Sequence, residues 1–553
     1  MFEEAADPPP AASLDNPTLV IAGASLGTLF EWYDFFLYGA LASQIARHFF
    51  AGVDERTGFA FALMAFAAGF IVRPFGALVF GRIGDRVGRK NTFLVTMTIM
   101  GLSTFLVGLL PGFETIGVFA PILLVALRLL QGLAIGGEYG GAAIYVAEHA
   151  PADRRAFHTS WINAMATGGL ITSLLVIISF RLLLSEGDFQ AWGWRLPFLI
   201  SCVLLGISLW IRLKLGESPV FRRMQAENTI SKAPLSEAFL HWQNLKLVLV
   251  ALFGSIAGSS TIWYTAQFYA LFFLQRILKV DELQTNILMV IALAIATPSF
   301  LLIGWLSDQC GRKPFMIAGC AIAAIVVFPL FHALTEAANP ALAEAQRSAP
   351  VVVYADPGAC SFQFDPVGAN HFDTSDCDVA KSFLTRAGVS YRTVGLAPGA
   401  RAEIHIGRRV LRAPDPRGLA AEPREKTIAA FKDEAKAALT AVGYPAAADP
   451  ARVDAPRVIA IVVVLVVLAA MTYAPAAAFL VELFPARIRY TSLSFPYHLG
   501  AGWIGGLLPA TAFAIVTATG NIYSGLWYPV VFCTLTAVIG TLFMPETRGR
   551  EIR

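Results

Sequence analysis

Charge is scarce in this sequence. Asp, Glu, Lys and Arg make up only 15% of its 553 residues, apolar residues make up 56%, and the mean hydropathy is +0.61. Soluble globular domains carry about 25% charged residues, so a fold surrounded by water is excluded. Catalytic and energising motifs are missing as well. There is no Gly-rich loop ending in Lys-Ser/Thr to cradle nucleotide phosphates, no Cys/His spacing suited to a metal, and no Cys-x-x-Cys. An ATP-driven pump, a metalloenzyme and a dithiol redox enzyme are set aside, and neither a metal nor a cofactor is expected. The net charge of +3 is spread over loops rather than gathered into a patch, which gives nucleic acid no footing. The first 17 residues are acidic and Pro-rich, without the basic stretch that precedes a cleavable signal. The N-terminus is expected to stay in the cytoplasm.

Long apolar runs are what the chain has in excess. Runs of about 20 residues, enough to cross a hydrocarbon core of about 30 Å, fall near Thr18–Ser43, Phe59–Phe80, Thr92–Leu110, Phe119–Val146, Trp161–Leu184 and Trp194–Leu213. A second set falls near Leu247–Gln275, Asn286–Leu306, Phe315–Leu334, Val458–Leu480, Leu493–Ala518 and Leu526–Met544. These spans divide into a first lobe, 18–213, and a second, 247–335 with 458–544; the polar stretch 214–246 joins them and 545–553 forms a tail. The 46 glycines and 31 prolines suit membrane helices, which tolerate both. Orientation follows from charge. With both termini inside, the short cytoplasmic loops hold about 19 Lys/Arg and the short outer loops about six, the asymmetry of the positive-inside rule. The expected fold is an all-α membrane protein of twelve transmembrane helices in two six-helix pseudo-symmetric lobes, bathed by the lipid bilayer.

One segment breaks this pattern. Residues 336–457 are polar and of mixed charge, and fall between the ninth and tenth spans on the outer side. Val351–Tyr354 and Glu403–Leu411 read as strands, the latter with a turn at Gly407; Asp378–Arg386 and Arg424–Ala441 read as amphipathic helices. A small external α/β insertion domain between Pro/Ala-rich linkers is expected, open to an unidentified partner. Its Cys360 and Cys377 lie where oxidation is permitted and are candidates for a disulfide. Cys202, Cys320 and Cys533 fall in apolar spans and Cys310 in a cytoplasmic loop, all expected as inert thiols.

The two halves repeat one another. Gly81-Arg-Ile-Gly-Asp85-Arg-Val-Gly-Arg89-Lys follows the second span, and Gly304-Trp-Leu-Ser-Asp308-Gln-Cys-Gly-Arg312-Lys follows the eighth. Glu148, Pro151 and Arg155 after the fourth span are matched at the same spacing by Glu482, Pro485 and Arg489 after the tenth. Repeated halves with a site between them near mid-membrane are the design of secondary carriers. In that design Asp85 and Asp308 cap or pair at a helix end while Arg89, Arg155, Arg312 and Arg489 meet Glu148 and Glu482. The result is a cytoplasmic latch that opens once per cycle. Simple anchoring of loops at the membrane surface is the competing reading.

Further motifs identify the relatives. They are Gly27-Thr-Leu-Phe-Glu31-Trp-Tyr-Asp34-Phe-Phe-Leu-Tyr-Gly39, Arg73-Pro74, Arg128-Leu-Leu-Gln131-Gly132 with Gly136-Gly-Glu138-Tyr-Gly-Gly141, Glu217-Ser-Pro-Val-Phe221 and Pro545-Glu-Thr-Arg-Gly-Arg550. With the repeated loops, they make the chain resemble the major facilitator superfamily and, within it, the metabolite:proton symporter family. The resemblance covers every span and stops at the insertion. It implies a multi-pass carrier of the bacterial inner membrane that moves a small metabolite together with protons. It also implies that Asp34 of the first span pairs with Arg128, so that protonating the carboxyl frees the arginine. Glu31 shares a helical face with Asp34, and Glu138 lies further along the helix of Arg128; charges inside a span mark function by default. A static buried pair that fixes helix packing is the alternative, and Arg73 beside Pro74 reads equally well as structural.

The substrate is expected to meet aromatic and amide side chains. Candidates are Tyr264, Gln267 and Tyr269 of the seventh span, with Tyr33, Gln131, Asn163, Tyr497 and His498 from other spans. For each, interhelical hydrogen bonding is the ordinary alternative. The expected activity is proton-coupled symport of an organic acid or zwitterion by alternating access. A non-transporting receptor or sensor with a carrier fold, and a proton-independent uniporter, stay open.

Overall fold

The computed structural model describes residues 17–52, 55–214, 216–361, 363 and 372–552; the N-terminal tail expected in the cytoplasm lies outside them up to residue 16. Apolar runs become helices because, in lipid, a helix satisfies its own backbone N–H and C=O groups. Among the described residues, eleven helices are long and apolar enough to cross a membrane. A further helix, Pro17–Ala40, has 24 residues and carries Glu31 and Asp34. In the first half of the chain it is followed by Glu55–Ile71 with Arg73–Val87, then Arg89–Leu109, Phe119–His149, Arg155–Leu183 and Leu196–Leu213. The second half holds Trp242–Ile277, Glu282–Cys310, Arg312–Ala338, Ala455–Leu483, Ala486–Thr519 and Ser524–Phe543.

Local departures from the regular helix place functional side chains. The second span breaks at Val72, and Arg73–Val87 restarts with Pro74 in its first turn, where a missing N–H costs no hydrogen bond. Arg73 therefore sits at the break. Helix Trp242–Ile277 widens into π turns at Leu252–Ile256, Thr265–Tyr269 and Phe273–Ile277, and Ala486–Thr519 does so at Leu499–Gly506. Such wide turns recur at functional sites. Close helix approach explains two glycines. A Cβ on Gly76 would fall 2.0 Å from the Leu133 carbonyl oxygen, and one on Gly136 would fall 2.3 Å from that of Arg73. Helices Arg73–Val87 and Phe119–His149 thus pack backbone to backbone, as small residues allow in membranes.

Between Ala338 and Ala455 the chain leaves the bundle and builds a four-stranded sheet, ordered β2-β1-β3-β4. Strands β1 (Val351–Ala355) and β2 (Tyr391–Gly395) are parallel and joined through helix Asp376–Ala387. Strands β3 (Glu403–Ile406) and β4 (Arg409–Arg412) form an antiparallel hairpin around Gly407, whose φ of 58° suits a two-residue turn. Helix Ala421–Ala441 follows. The flanks are not loose linkers. Pro340–Ser348 is a helix capped by the Asn339 side chain, with Leu342, Ala343 and Ala345 buried. On the other flank, Asp454 N–H donates to the Ala337 carbonyl at 2.9 Å, and the Asp454 side chain caps helix Ala455–Tyr473. Alanine reads as linker by composition and as helix by propensity; here burial decides for helix.

The insertion is seated on one end of the second half. Tyr391 N–H donates to Gly520 O at 2.9 Å, Ile522 N–H to Ser390 Oγ at 3.2 Å, and Ala448 N–H to Lys279 O at 3.1 Å. A disulfide joins Cys360, after β1, to the buried Cys377 in the first turn of helix Asp376–Ala387, with 5.2 Å between Cα atoms. Next to it, burial alone would raise the carboxyl of Asp378. Hydrogen bonds donated by the Thr374 hydroxyl and by the hydroxyl and backbone N–H of Ser361 outweigh that and hold it below the usual range.

Candidate functional site

All eight repeated-motif residues meet at the end of the bundle opposite the insertion, and most of their contacts cross from one half to the other. Asp85 accepts from Tyr490 N (3.1 Å) and Thr491 N (2.9 Å), the first turn of a second-half helix. Asp308 does the converse, accepting from Ala156 N (2.9 Å) and Phe157 N (2.8 Å) in the first half. A carboxylate at a helix start satisfies orphan N–H groups and meets the positive end of the helix dipole. The glutamates complete the symmetry. Glu148 binds Arg489 at 2.8 Å and Arg89 at 3.3 Å; Glu482 binds Arg155 at 2.8 Å and Arg312 at 3.1 Å. The side chains of all six are at most 5% exposed. Sequence reading gave no role to two motif glutamates. Glu217 accepts from Lys90 N at 3.1 Å, and Glu546 from Arg312 N and Lys313 N at 3.0 and 3.1 Å, so each caps the helix that follows a latch motif.

The direct Asp34–Arg128 pair expected from the resemblance is not formed. Asp34 accepts from Ser201 Oγ at 2.5 Å and also meets the Thr104 hydroxyl. Arg128 donates to Gln131 Oε1, Gln131 Nε2 donates to Thr104 Oγ1, and the guanidinium lies 4.0 Å over the Tyr38 ring. Thr104, close to Asp34, accepts from Gln131, and Gln131, one turn along from Arg128, takes up the guanidinium. A second charged group was only half visible in the sequence. Glu31 and Glu138 lie close enough to interact electrostatically, and Arg212 Nη1 lies 3.4 Å from Glu138 Oε1, with its guanidinium stacked 3.2 Å over Phe93. In the sequence Arg212 stands two residues from Lys214 and reads as the edge of a loop. It is 2% exposed.

Between the halves lies a small closed cavity of ≈ 10 Å³, lined by Trp32, Tyr139, Asn163, Trp263, Tyr473 and Tyr497 among others. That is room for about one water. Tyr139 and Tyr497 stack across it at 3.5 Å, and Asn163 Nδ2 donates to Tyr473 O at 2.8 Å. Arg73 stands behind Trp32, 1% exposed, its guanidinium 4.3 Å over Phe35, 4.5 Å over Phe70 and 5.7 Å from the Trp32 ring centre. Among the described residues its Nε and Nη2 have no hydrogen-bond partner, and neither do Tyr264 Oη or the ring nitrogens of His498. Gln267 Nε2 donates to Thr167 Oγ1 at 3.3 Å across the halves, and its Oε1 is unpartnered.

Three candidates belong elsewhere. Tyr33 donates to Pro197 O at 2.8 Å inside the first half; Gln131 is held by Arg128 and Thr104; Tyr269 packs among Phe273, Phe331 and Phe513 inside the second half. Helical spacing fixes which residues share a face but not which of two neighbours that face meets. At the far end, where the insertion is seated, the halves touch more lightly: Arg181 and Glu282 approach to 3.9 Å, both partly exposed, beside a recess of ≈ 80 Å³.

Two matched halves, a closed cavity between them and reciprocal helix caps at one end define a membrane carrier of the major facilitator fold. Residues 20–241 and 436–553 match the sugar (and other) transporter family. The chain is 38% identical over 327 residues to the shikimate transporter of Escherichia coli K12, covering 58% of this chain and 74% of that one. It is 35% identical over 320 residues to the alpha-ketoglutarate permease of the same strain (58% and 72%), and 34% identical over 322 residues to its proline/betaine transporter (56% and 63%). Among solved structures, the proton:xylose symporter XylE bound to 6-bromo-6-deoxy-D-glucose matches 97% of both chains with a TM-score of 0.59 and 15% identity, a likeness of fold. The chain belongs to the sugar (and other) transporter family, with curated carriers of organic metabolites among its relatives. It is a transporter, not an enzyme.

Proposed function

We propose that the chain is a proton-coupled symporter of a small carboxylate-bearing metabolite, working by alternating access in a bacterial inner membrane. The observation that carries this reading is Arg73: a buried guanidinium beside the cavity between the halves, with two nitrogens unpartnered among the described residues. Glu31 lies near enough to Arg73 to act on it electrostatically, but no carboxylate of the described residues reaches the guanidinium within 4.0 Å. A buried cation short of hydrogen bonds is costly, and a substrate carboxylate would supply them in bidentate form. The named substrates of the three relatives all carry a carboxylate. Tyr264, His498 and Asn163 are positioned to hold the rest of a small polar body, and Trp32 and Trp263 to cover it.

Proton coupling rests on two buried sites in this reading. Glu31 and Glu138 share the single guanidinium of Arg212, so one proton makes that group neutral. Asp34 communicates with Arg128 through Thr104 and Gln131, and a change of charge at Asp34 would release or tighten that chain. The motif end is taken as cytoplasmic, with both termini inside, twelve spans, and the insertion external. The structure then corresponds to a state closed inside. The test is uptake into proteoliposomes of shikimate, 2-oxoglutarate and betaine under an imposed proton gradient. Gradient-driven accumulation of at least one is expected, abolished by Arg73→Gln. Accumulation that persists in R73Q, or that ignores a protonophore, would overturn the reading.

A further inference from the structure

A second charged recess lies far from the central cavity, where the insertion meets the bundle. It measures ≈ 340 Å³ and its rim carries Lys279, Arg386, Lys432 and Lys436 against the carboxylate of Asp433. Its floor is apolar, formed by Phe383, Leu439 and Tyr444. The walls come from both parts of the molecule: Lys279 stands two residues beyond the end of the bundle helix Trp242–Ile277, while the other residues belong to the insertion.

The recess is held in shape. Lys279 adopts a left-handed backbone with φ 54°, and its carbonyl accepts from Ala448 N at 3.1 Å. Tyr444 Oη donates to Ala349 O at 3.0 Å, which fixes its ring. Gly388, with φ 71°, lies so close that a Cβ there would fall 2.8 Å from Ile277 O. Like charges are brought together rather than spread. Lys279 is half-buried, and both that burial and the neighbouring ammonium of Lys436 push its pKa down. No carboxylate of the described residues pairs with Lys279 or Lys436 within 4.0 Å. Solvated lysines on a free surface would move apart; here a fold contact holds one of them in place.

We propose that this recess binds a phosphate-bearing anion of headgroup size. The volume is at the small end of ligand pockets, which run from about 300 to 1,000 Å³. Two ammoniums flanking an apolar floor match an oxyanion attached to a short carbon body. Lys279 follows a membrane helix by two residues, so the recess stands at headgroup level. The phosphate of an anionic lipid and a free organic phosphate share this chemistry.

The test uses the full chain. In nanodiscs of mixed phosphatidylcholine and phosphatidylglycerol, native mass spectrometry is expected to find phosphatidylglycerol retained about tenfold over its share. In neutral detergent, glycerol 3-phosphate is titrated separately. Retention without glycerol phosphate binding identifies a lipid headgroup, and the reverse identifies a free anion. Lys279→Gln with Lys436→Gln should remove binding in whichever arm shows it, while Asp433→Asn, which deletes a competing carboxylate, should tighten it several-fold. The opposite sign of these variants separates binding from misfolding. No binding in either arm, or unchanged binding in the double variant, would overturn the proposal.

Discussion

The two ends of the bundle are held together in different ways. At the motif end, two aspartates cap helices of the opposite half and two glutamates each bind a pair of arginines, all buried and duplicated by the internal repeat. At the insertion end the halves meet through Arg181 and Glu282 at 3.9 Å, with side chains 29% and 54% exposed. Burial changes the meaning of an ion pair. An exposed pair contributes about 0–1 kcal/mol, while removing one partner of a buried pair costs about 3–5 kcal/mol because a charge is left stranded. The asymmetry predicts that the motif end resists opening and the other end yields first.

The largest effect should come from breaking a buried glutamate. Glu482→Gln leaves Arg155 and Arg312 without their shared carboxylate, and Glu148→Gln does the same to Arg89 and Arg489. Either should move the population toward a state open at the motif end and lower uptake at least tenfold. Distances between spin labels on the two halves would measure it; unchanged distance distributions would mean that the buried pairs do not hold the closed state. Asp34→Asn comes next. It should abolish gradient-driven accumulation while substrate exchange at equal concentrations survives, read as uptake against counterflow. Equal accumulation by variant and parent would shift the coupling role to Glu31 and Glu138.

Asp85→Asn should have a smaller effect than either glutamate change, about 1–2 kcal/mol, because an amide oxygen still accepts one hydrogen bond but loses the charge–dipole term. Hydrogen exchange at Tyr490 and Thr491 would report it. Glu282→Gln, at the light end, should change uptake less than about twofold, consistent with the weakness of exposed pairs. A large loss there would remove the contrast between the ends. A pH experiment isolates the insertion. Asp378 is held below its ordinary pKa, so the stability it contributes is fully present above the unfolded carboxyl pKa of about 3.9. That stability is lost as pH falls through the lower folded value. Hydrogen exchange of helix Asp376–Ala387 should therefore accelerate in strong acid in the parent, with a flatter profile in Asp378→Asn.

Much of this architecture was readable because membrane sequence is constrained by few rules. Span positions follow from apolar length, and both buried ion-pair clusters follow from repeated motifs, since two copies of one spacing point to one shared geometry. The strand at Tyr391–Gly395 was missed because its exposed Arg392 and Thr393 blur the alternation that marks a half-buried strand. Tyr269 and Tyr33 pack inside their own halves, away from the cavity between them. Periodicity places a side chain on a face, but only packing shows whether that face meets the partner half or its own. Arg212 illustrates the same limit from the other direction: a charge near a span end reads as loop until Glu138 is found beside it.

The seating of the insertion has a mechanical consequence. Its hydrogen bonds to Gly520, Ile522 and Lys279 tie it to the second half at the end away from the latch. If that half rocks against the first, the insertion is carried with it. A fluorophore on its exposed helix Ala421–Ala441, read against one on the first half, would convert each turnover into a visible displacement without altering a residue inside the membrane.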